Sequence, residues 1–288
     1  MEAASSQTLR PISLDVEGVV LAGEIGNEGA HRTLLFTHGM GQTGTAWRRI
    51  VERMAGGGWT ALAVDARGHG RSARNPVDVP YTPDQLADDL WRWARTFAHK
   101  PVLIGASMGG LTGLVAQARY NCFSALVLVD VTPRWESEGV ARILEFMRAH
   151  SDGFASIDEA ADAVAAYLPH RPRKSAQALT GLLEHDDDGR WRWHWDPRLV
   201  EDLSVEMDSR QHELAEAARE IHVPTLLLTG SASDVVSSNT IEHFLALVPH
   251  AQHREIAGAR HLVAGDDNDA FASAVIEFLQ PLALRSAA

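Results

Sequence analysis

The sequence has little cysteine, an excess of negative over positive charge, and no long apolar run. Its one cysteine, Cys122, excludes a disulfide within the chain and favours a reducing compartment. The net charge of −12 argues against a nucleic-acid surface and against binding to anionic membranes. No run approaches the roughly 18 apolar residues that span a bilayer, and the first residues lack the apolar core of a secretory signal. These features predict a cytoplasmic protein.

Short apolar runs recur along the chain, and most of them end in Gly or Asp. They are continuous rather than alternating, which is typical of strands buried on both faces of a parallel sheet. Helix-like stretches with 3.6-residue periodicity separate them, and this alternation predicts an α/β protein with an open, mostly parallel sheet flanked by helices. An alternating segment over 9–25 predicts an antiparallel hairpin before the sheet. The runs lie at 32–39, 59–68, 100–107, 125–133, 224–234 and, more weakly, 253–261.

The alternation stops after the fourth long run. Between Pro133 and Leu214 the sequence shows helix-like segments and an aromatic cluster, Trp191-Arg-Trp-His-Trp195. We therefore predict a core formed by 1–132 and 214–288, with a helical lid inserted over 133–213.

The stretch Leu103-Ile-Gly-Ala-Ser-Met-Gly-Gly110 surrounds one serine, Ser107, with glycines. It matches the pattern G-x-S-x-G between a predicted strand and a predicted helix, which is the context of a nucleophile elbow. Small flanking residues let strand and helix approach closely around a strained serine. Ser107 is therefore the predicted nucleophile.

An oxyanion needs two backbone donors near such a serine. The amide of Met108 begins the following helix and is the first candidate. The amide of Met40, in the loop His38-Gly-Met-Gly41 after the first parallel strand, is the second.

A serine hydroxyl needs a base, and the base needs a carboxylate to hold its tautomer. His261 is the predicted base, because it lies between the last strand-like run and the final helix. Two acids compete, since Asp130 and Asp234 both follow strands on the same edge of the sheet. Asp234 is favoured because its longer Gly/Ser turn gives it reach, whereas Asp130 could cap the turn that leads into the lid.

Taken together, the segments HGMG, DARGHGRS, GASMGG, GSASD and GARH resemble the α/β-hydrolase fold superfamily over nearly the whole chain. The order Ser107, Asp234, His261 is also the order of that superfamily. GASMGG is similar to the esterase, haloperoxidase-like and carbon–carbon bond hydrolase branches. The resemblance implies a lid where 133–213 lies and a serine hydrolase that needs no cofactor.

The leading functional prediction is cleavage of a small, apolar carboxylic ester or lactone through an acyl-enzyme. A carbon–carbon bond hydrolase of similar machinery is the alternative, and a non-catalytic ligand receptor on the same fold is an alternative from another class. The order of residues does not determine the oligomeric state.

Two motifs resemble binding sites without completing them. Gly68-His-Gly-Arg-Ser-Ala73 has the spacing of a dinucleotide turn, but Pro76 follows closely, so no helix begins there and a structural loop is predicted. His212-Glu213 begins like a zinc helix, but Glu216 stands where the second histidine belongs, so no metal is predicted. No nucleic-acid or membrane partner is predicted either.

The tryptophans of the predicted lid allow two interpretations. They either anchor the lid on the core or line an apolar substrate pocket. The residues concerned are Trp135, Trp191, Trp193 and Trp195.

Overall fold

A computed structural model of the chain describes residues 8–204, 207–261 and 268–285. Ten strands are present within these ranges, and all six predicted runs form strands of one sheet. The strands are β1 (Arg10–Val16), β2 (Val19–Gly26), β3 (Thr33–Thr37), β4 (Thr60–Val64), β5 (Val102–Ala106), β6 (Ala125–Val129), β7 (Leu183–His185), β8 (Trp191–Trp193), β9 (Thr225–Gly230) and β10 (Gln252–Ile256).

Eight of these strands form the central sheet in the order β1-β2-β4-β3-β5-β6-β9-β10. The predicted hairpin is β1–β2, and β2 also pairs antiparallel with β4. From β4 to β10 every neighbouring pair is parallel, which confirms the predicted open, mostly parallel sheet.

Helices cover both faces of the sheet. The capping box of Thr82 and Gln85, with Pro83 at the first helical position, starts α2 where the periodicity predicts a helix. The helices are α1 (Arg48–Gly56), α2 (Pro83–Ala94), α3 (Met108–Tyr120), α4 (Ser137–Arg148), α5 (Ile157–Tyr167), α6 (Ala176–Leu179), α7 (Arg198–Ser204), α8 (Met207–Arg219), α9 (Ser238–Leu247) and α10 (Asn268–Arg285). No helix in the described ranges is long and apolar enough to cross a bilayer.

Successive strand residues point to opposite faces and build two separate cores. Leu34 and Phe36 of β3 pack on the side of α1 and α10, where they meet Trp47 and Phe271. Leu35, between them, packs on the side of α2, α3, α8 and α9. Burial on both faces explains why these strands read as continuous apolar runs.

The segment 133–213, called the insertion below, follows β6 and ends within α8. It contains α4–α7 and the short antiparallel hairpin β7–β8, a strand pair where the sequence predicts helical segments. The predicted boundary at 213/214 falls within α8. The insertion has its own core, which includes Phe154, Trp193 and Leu199. This core packs against Tyr81 of the main domain, which is the part of the chain outside 133–213.

Three buried histidines pack in a row where the insertion meets the sheet edge. The ring of His69 lies 5.0 Å from that of His38 and 6.1 Å from that of His194. Each ring accepts a backbone N–H: His38 Nε2 from Ala66, His69 Nε2 from Gly41 and His194 Nδ1 from Gly70. All three must be neutral to accept these bonds, and burial lowers the pKa of each, to about 4 for His194.

This burial predicts an acid-sensitive contribution to stability. The His194 pKa is lowered mainly by burial and further by His38 and Arg74, against the opposing charge of Asp65. As the pH falls, His194 is therefore protonated in the unfolded chain before it is protonated in the folded protein. The free energy of unfolding falls as the pH drops from about 6.5 toward 4. In His194→Asn the amide oxygen replaces the Nδ1 acceptor without titrating. Between pH 7 and pH 4.5 we expect the variant to lose roughly 2 kcal/mol less unfolding free energy than the parent.

Urea denaturation at the two pH values measures this difference. His38 and His69 are present in both proteins. The variant also removes the contribution by which His194 lowers the His69 pKa, which acts in the same direction. Equal losses in parent and variant would contradict the prediction.

Candidate active site

Ser107 lies in a sharp turn between β5 and α3, with φ of 48° and ψ of −120°. The turn is possible because strand and helix touch through glycine. A Cβ on Gly105 would lie 2.8 Å from the backbone of Gly109, and a Cβ on Gly109 would lie 2.7 Å from the carbonyl oxygen of His38. No real Cβ tolerates such contacts, so these positions require glycine. The local geometry is that of the predicted elbow.

The imidazole of His261 lies between Ser107 and Asp130. Its Nδ1 is 2.9 Å from Asp130 Oδ2, and its Nε2 is 3.1 Å from Ser107 Oγ. Because a carboxylate only accepts hydrogen bonds, the proton of the neutral ring belongs on Nδ1. Nε2 is then free to accept the proton of the Ser107 hydroxyl.

Asp130 directly follows β6 and is completely buried. Its φ of 50° turns the chain at the end of the strand. Besides His261, it accepts a bond of 2.9 Å from Gly230 N–H and one of 2.5 Å from Ser233 Oγ. Three donors, from the end of β9, the turn after it and the loop after β10, thus satisfy the buried carboxylate.

The predicted contact between Asp234 and His261 is not what the structure shows, and Asp130 occupies that position instead. Asp234 is about 29% exposed and forms an ion pair with Arg142 of α4. Two features explain the difference. β6 is the neighbour of β5, while β9 lies one strand further away. Ser233 turns inward to Asp130, and the next residue, Asp234, points to the insertion.

The loop with Met40 lies beside Ser107. A Cβ on Gly39 would be 3.2 Å from Ser107 Cβ, so the loop backbone passes directly against the serine. Gly41 has a φ of 73°, which favours glycine. Met108 is the first residue of α3, where an N–H has no acceptor within the helix. Both predicted oxyanion donors thus belong to segments that adjoin Ser107.

A cavity of about 590 Å³, called the Ser107 cavity below, contains Ser107 and His261. Trp193 and Trp195 line it and stack on each other with ring centroids 4.9 Å apart. Trp135 packs with Leu214 and Val235, away from this cavity. Trp191 packs edge-on against His185 and does not line the cavity either. The four tryptophans therefore divide between cavity wall and anchor.

Several basic residues line the Ser107 cavity. Sequence reasoning missed them, because they are scattered through α1, the insertion and one loop. Among them, Arg142 is already paired with Asp234. The basic lining residues are Arg48, Arg142, His170, Arg171, Lys174 and Arg260.

The two incomplete motifs lie in a loop and in a helix. Gly68–Ala73 is a loop, as the sequence predicts, and its His69 and Gly70 bond to Gly41 and His194. His212 lies in α8, 3.8 Å from Glu216. Across residues 8–204, 207–261 and 268–285, no three His, Cys, Asp or Glu side chains converge as metal ligands do.

Comparison with known proteins gives consistent results. The chain is 28% identical to 2-(acetamidomethylene)succinate hydrolase of Mesorhizobium japonicum over 244 residues, which cover 82% of this chain and 84% of that protein. It is 28% identical to sn-1-specific diacylglycerol lipase ABHD11 of Danio rerio, over 96% of this chain and 86% of that protein. Esterase YbfF of Escherichia coli is 28% identical over 76% of this chain and 82% of its own length.

Solved structures show the same fold. The crystal structure of E-2-(acetamidomethylene)succinate hydrolase superposes with a TM-score of 0.84 at 24% identity, covering 95% of this chain and 100% of that one. The family described as serine aminopeptidase, S33 matches residues 28–268. The chain therefore belongs to this family of the α/β-hydrolase superfamily and is a hydrolase of that type.

Proposed function

We propose that the protein is a serine hydrolase that cleaves small carboxylic esters or lactones through an acyl-enzyme on Ser107. The observation that supports this most directly is the His261 imidazole, 3.1 Å from the Ser107 hydroxyl and 2.9 Å from the Asp130 carboxylate. This is the arrangement of nucleophile, base and orienting acid that acyl transfer needs. The sharp turn at Ser107 and the adjoining loop that carries Met40 are compatible with this reaction.

The proposed reaction has two parts. Ser107 Oγ attacks the carbonyl carbon as its proton passes to His261 Nε2, and Asp130 stabilises the imidazolium. The amides of Met40 and Met108 donate to the oxyanion. The imidazolium returns its proton to the leaving alkoxide, which departs as the alcohol. Water then attacks the acyl-enzyme and gives a proton to His261. As the bond to Ser107 Oγ breaks, the imidazolium returns this proton to Oγ and the carboxylic acid is released.

The first test removes the nucleophile. Ser107→Ala keeps a small side chain in the tight elbow, so we expect it to fold but to lose roughly 10⁴–10⁶-fold in kcat. Hydrolysis of p-nitrophenyl esters measures the loss, and melting curves monitor folding. A fluorophosphonate should label Ser107 in the parent and nothing at that position in the variant. Activity within tenfold of the parent would remove Ser107 from this role.

The second test separates the two aspartates. Asp130→Asn preserves the shape of the side chain but removes the charge that holds the His261 tautomer, so we expect kcat to fall by about 10³–10⁴. Asp234→Asn is the matched control. It loses the Arg142 ion pair, which is partly exposed, and should change kcat less than about tenfold.

Both variants are measured on one ester at one pH. The reverse ranking, with Asp234→Asn as the more damaged enzyme, would restore Asp234 as the acid.

A further observation favours an ester that carries a carboxylate. Lys174 is one of the basic residues that line the Ser107 cavity. Loss of hydration and the nearby Arg171 guanidinium both lower the Lys174 pKa, and a carboxylate from the substrate would relieve this repulsion. A relative of this chain, 2-(acetamidomethylene)succinate hydrolase, acts by its name on a succinate derivative. The apolar wall of Trp193 and Trp195 would take the rest of the acyl chain.

Two esters of equal chain length test this preference. They are p-nitrophenyl hexanoate and the mono-p-nitrophenyl ester of adipic acid, which carries a terminal carboxylate. In Lys174→Gln we expect kcat/KM for the adipate ester to fall about tenfold, with hexanoate within about twofold, because a charge-assisted contact is lost.

Lys100 offers a matched control, because it is exposed and precedes β5 at the opposite edge of the sheet. Lys100→Gln should leave both rates unchanged. An adipate-to-hexanoate ratio that does not change in Lys174→Gln would argue for a neutral, apolar ester instead.

A further inference from the structure

We propose that His69 and His194 are positioning residues that hold the oxyanion loop, His38–Gly41, and couple it to the insertion. This inference rests on the proposed function, because it assigns the loop to the oxyanion. Neither histidine contacts Ser107 or His261 by a hydrogen bond in the described structure. Their effect would pass through the backbone that carries Met40.

The oxyanion loop is held from two sides at Gly41. On one side, the Gly41 N–H donates to His69 Nε2 over 3.2 Å. On the other side, a Cβ on Gly41 would lie 3.3 Å from Met147 Cε and 3.5 Å from Trp195 Cζ3, both in the insertion. The peptide next to Met40 is therefore fixed between a main-domain histidine and the insertion.

His69 is itself fixed by its neighbours. Its Nδ1 bonds to the Arg67 carbonyl at 3.2 Å, which leaves Nε2 as the acceptor for Gly41. The adjoining Gly70 N–H donates to His194 Nδ1 over 2.8 Å. His194 lies between Trp193 and Trp195, two walls of the Ser107 cavity. A continuous set of contacts thus runs from the cavity wall through His194 and His69 to the oxyanion loop.

The loop needs such support because glycine flanks Met40 on both sides. Glycine allows the backbone to occupy several conformations, and the N–H of Met40 is useful only when it is directed at the oxyanion in advance. A buried acceptor on the next peptide restricts those conformations. Removing the acceptor also leaves the Gly41 N–H without its partner, which favours a shifted loop.

Two substitutions at His69 separate positioning from packing. In His69→Gln the side-chain oxygen can accept the Gly41 N–H, whereas His69→Leu fills similar space without an acceptor. For His69→Leu we expect kcat on a p-nitrophenyl ester to fall about 10–100-fold, less than the loss of a direct oxyanion donor, with KM within about threefold. His69→Gln should recover most of kcat.

The same pair of changes at His194 tests the link to the insertion. His194→Asn retains an acceptor at the Nδ1 position and should stay within about threefold of the parent in kcat, while His194→Leu should lose about tenfold. If His69→Leu does not fold, the His194 pair still provides the comparison. Melting temperatures are measured for all four variants.

The decisive outcome is the relation between kcat and stability. A leucine variant that melts earlier but keeps the parental kcat would overturn the proposal, since the histidines would then be structural only. So would equal kcat losses for the glutamine and leucine variants. Fluorophosphonate labelling of the parent tests the proposed function separately: labelling at Ser107 with unaffected leucine variants would refute the positioning role alone.

Discussion

The buried carboxylate of Asp130 is the group on which the geometry of the site depends. An unpaired charge in a completely buried position costs several kcal/mol, so it must be surrounded by donors. The donors are Gly230 at the end of β9, Ser233 in the turn after it and His261 in the loop after β10. Satisfying one carboxylate therefore draws two loops together at the end of β6. The imidazole reaches Ser107 because its other nitrogen is held in this way.

Much of the fold was predictable because its signals are local. Continuous apolar runs ending in Gly or Asp mark buried strands, and all six become strands of the sheet. The contact of Ser107 with His261 was also predictable, since an elbow at one strand end and a loop after the last strand meet at the same sheet edge. Both predictions use only the periodicity of the apolar residues, the positions of glycine and the order of the residues along the chain.

The carboxylate that contacts His261 was not predictable in the same way. Asp130 and Asp234 have similar sequence contexts, and the choice between them depends on strand order, which places β6 beside β5 and β9 beyond it. It also depends on how two successive residues of one turn are oriented, because Ser233 faces Asp130 while Asp234 faces Arg142. Sequence reasoning that weighed the length of the turn favoured the residue with more reach. A long turn is not needed, because Asp130 at the end of β6 already lies within hydrogen-bond distance of His261.

The insertion was the least predictable part, and its contacts explain why. Its core is built from short elements whose partners are distant in sequence. Phe154 pairs with Trp191 in an isolated β-bridge, and the Tyr81 hydroxyl donates a hydrogen bond to Asp196. Trp191, Trp193 and Trp195 alternate with Arg192 and His194 in the sequence, yet they pack in different places. Trp193 and Trp195 stack on the cavity wall, and Trp191 lies outside it. The sequence pattern does not show which of them line the Ser107 cavity, because that depends on how the insertion packs against the rest of the protein.

Histidine takes two physically distinct roles at this sheet edge, and the partners of each ring distinguish them. His38 and His69 bond a backbone N–H on one nitrogen and a carbonyl on the other, so neither ring can take a proton without losing an acceptor. His261 instead lies between a carboxylate and a hydroxyl. In the proposed reaction this imidazole transfers the proton, whereas the buried rings of His38 and His69 bond to backbone groups of the neighbouring loops.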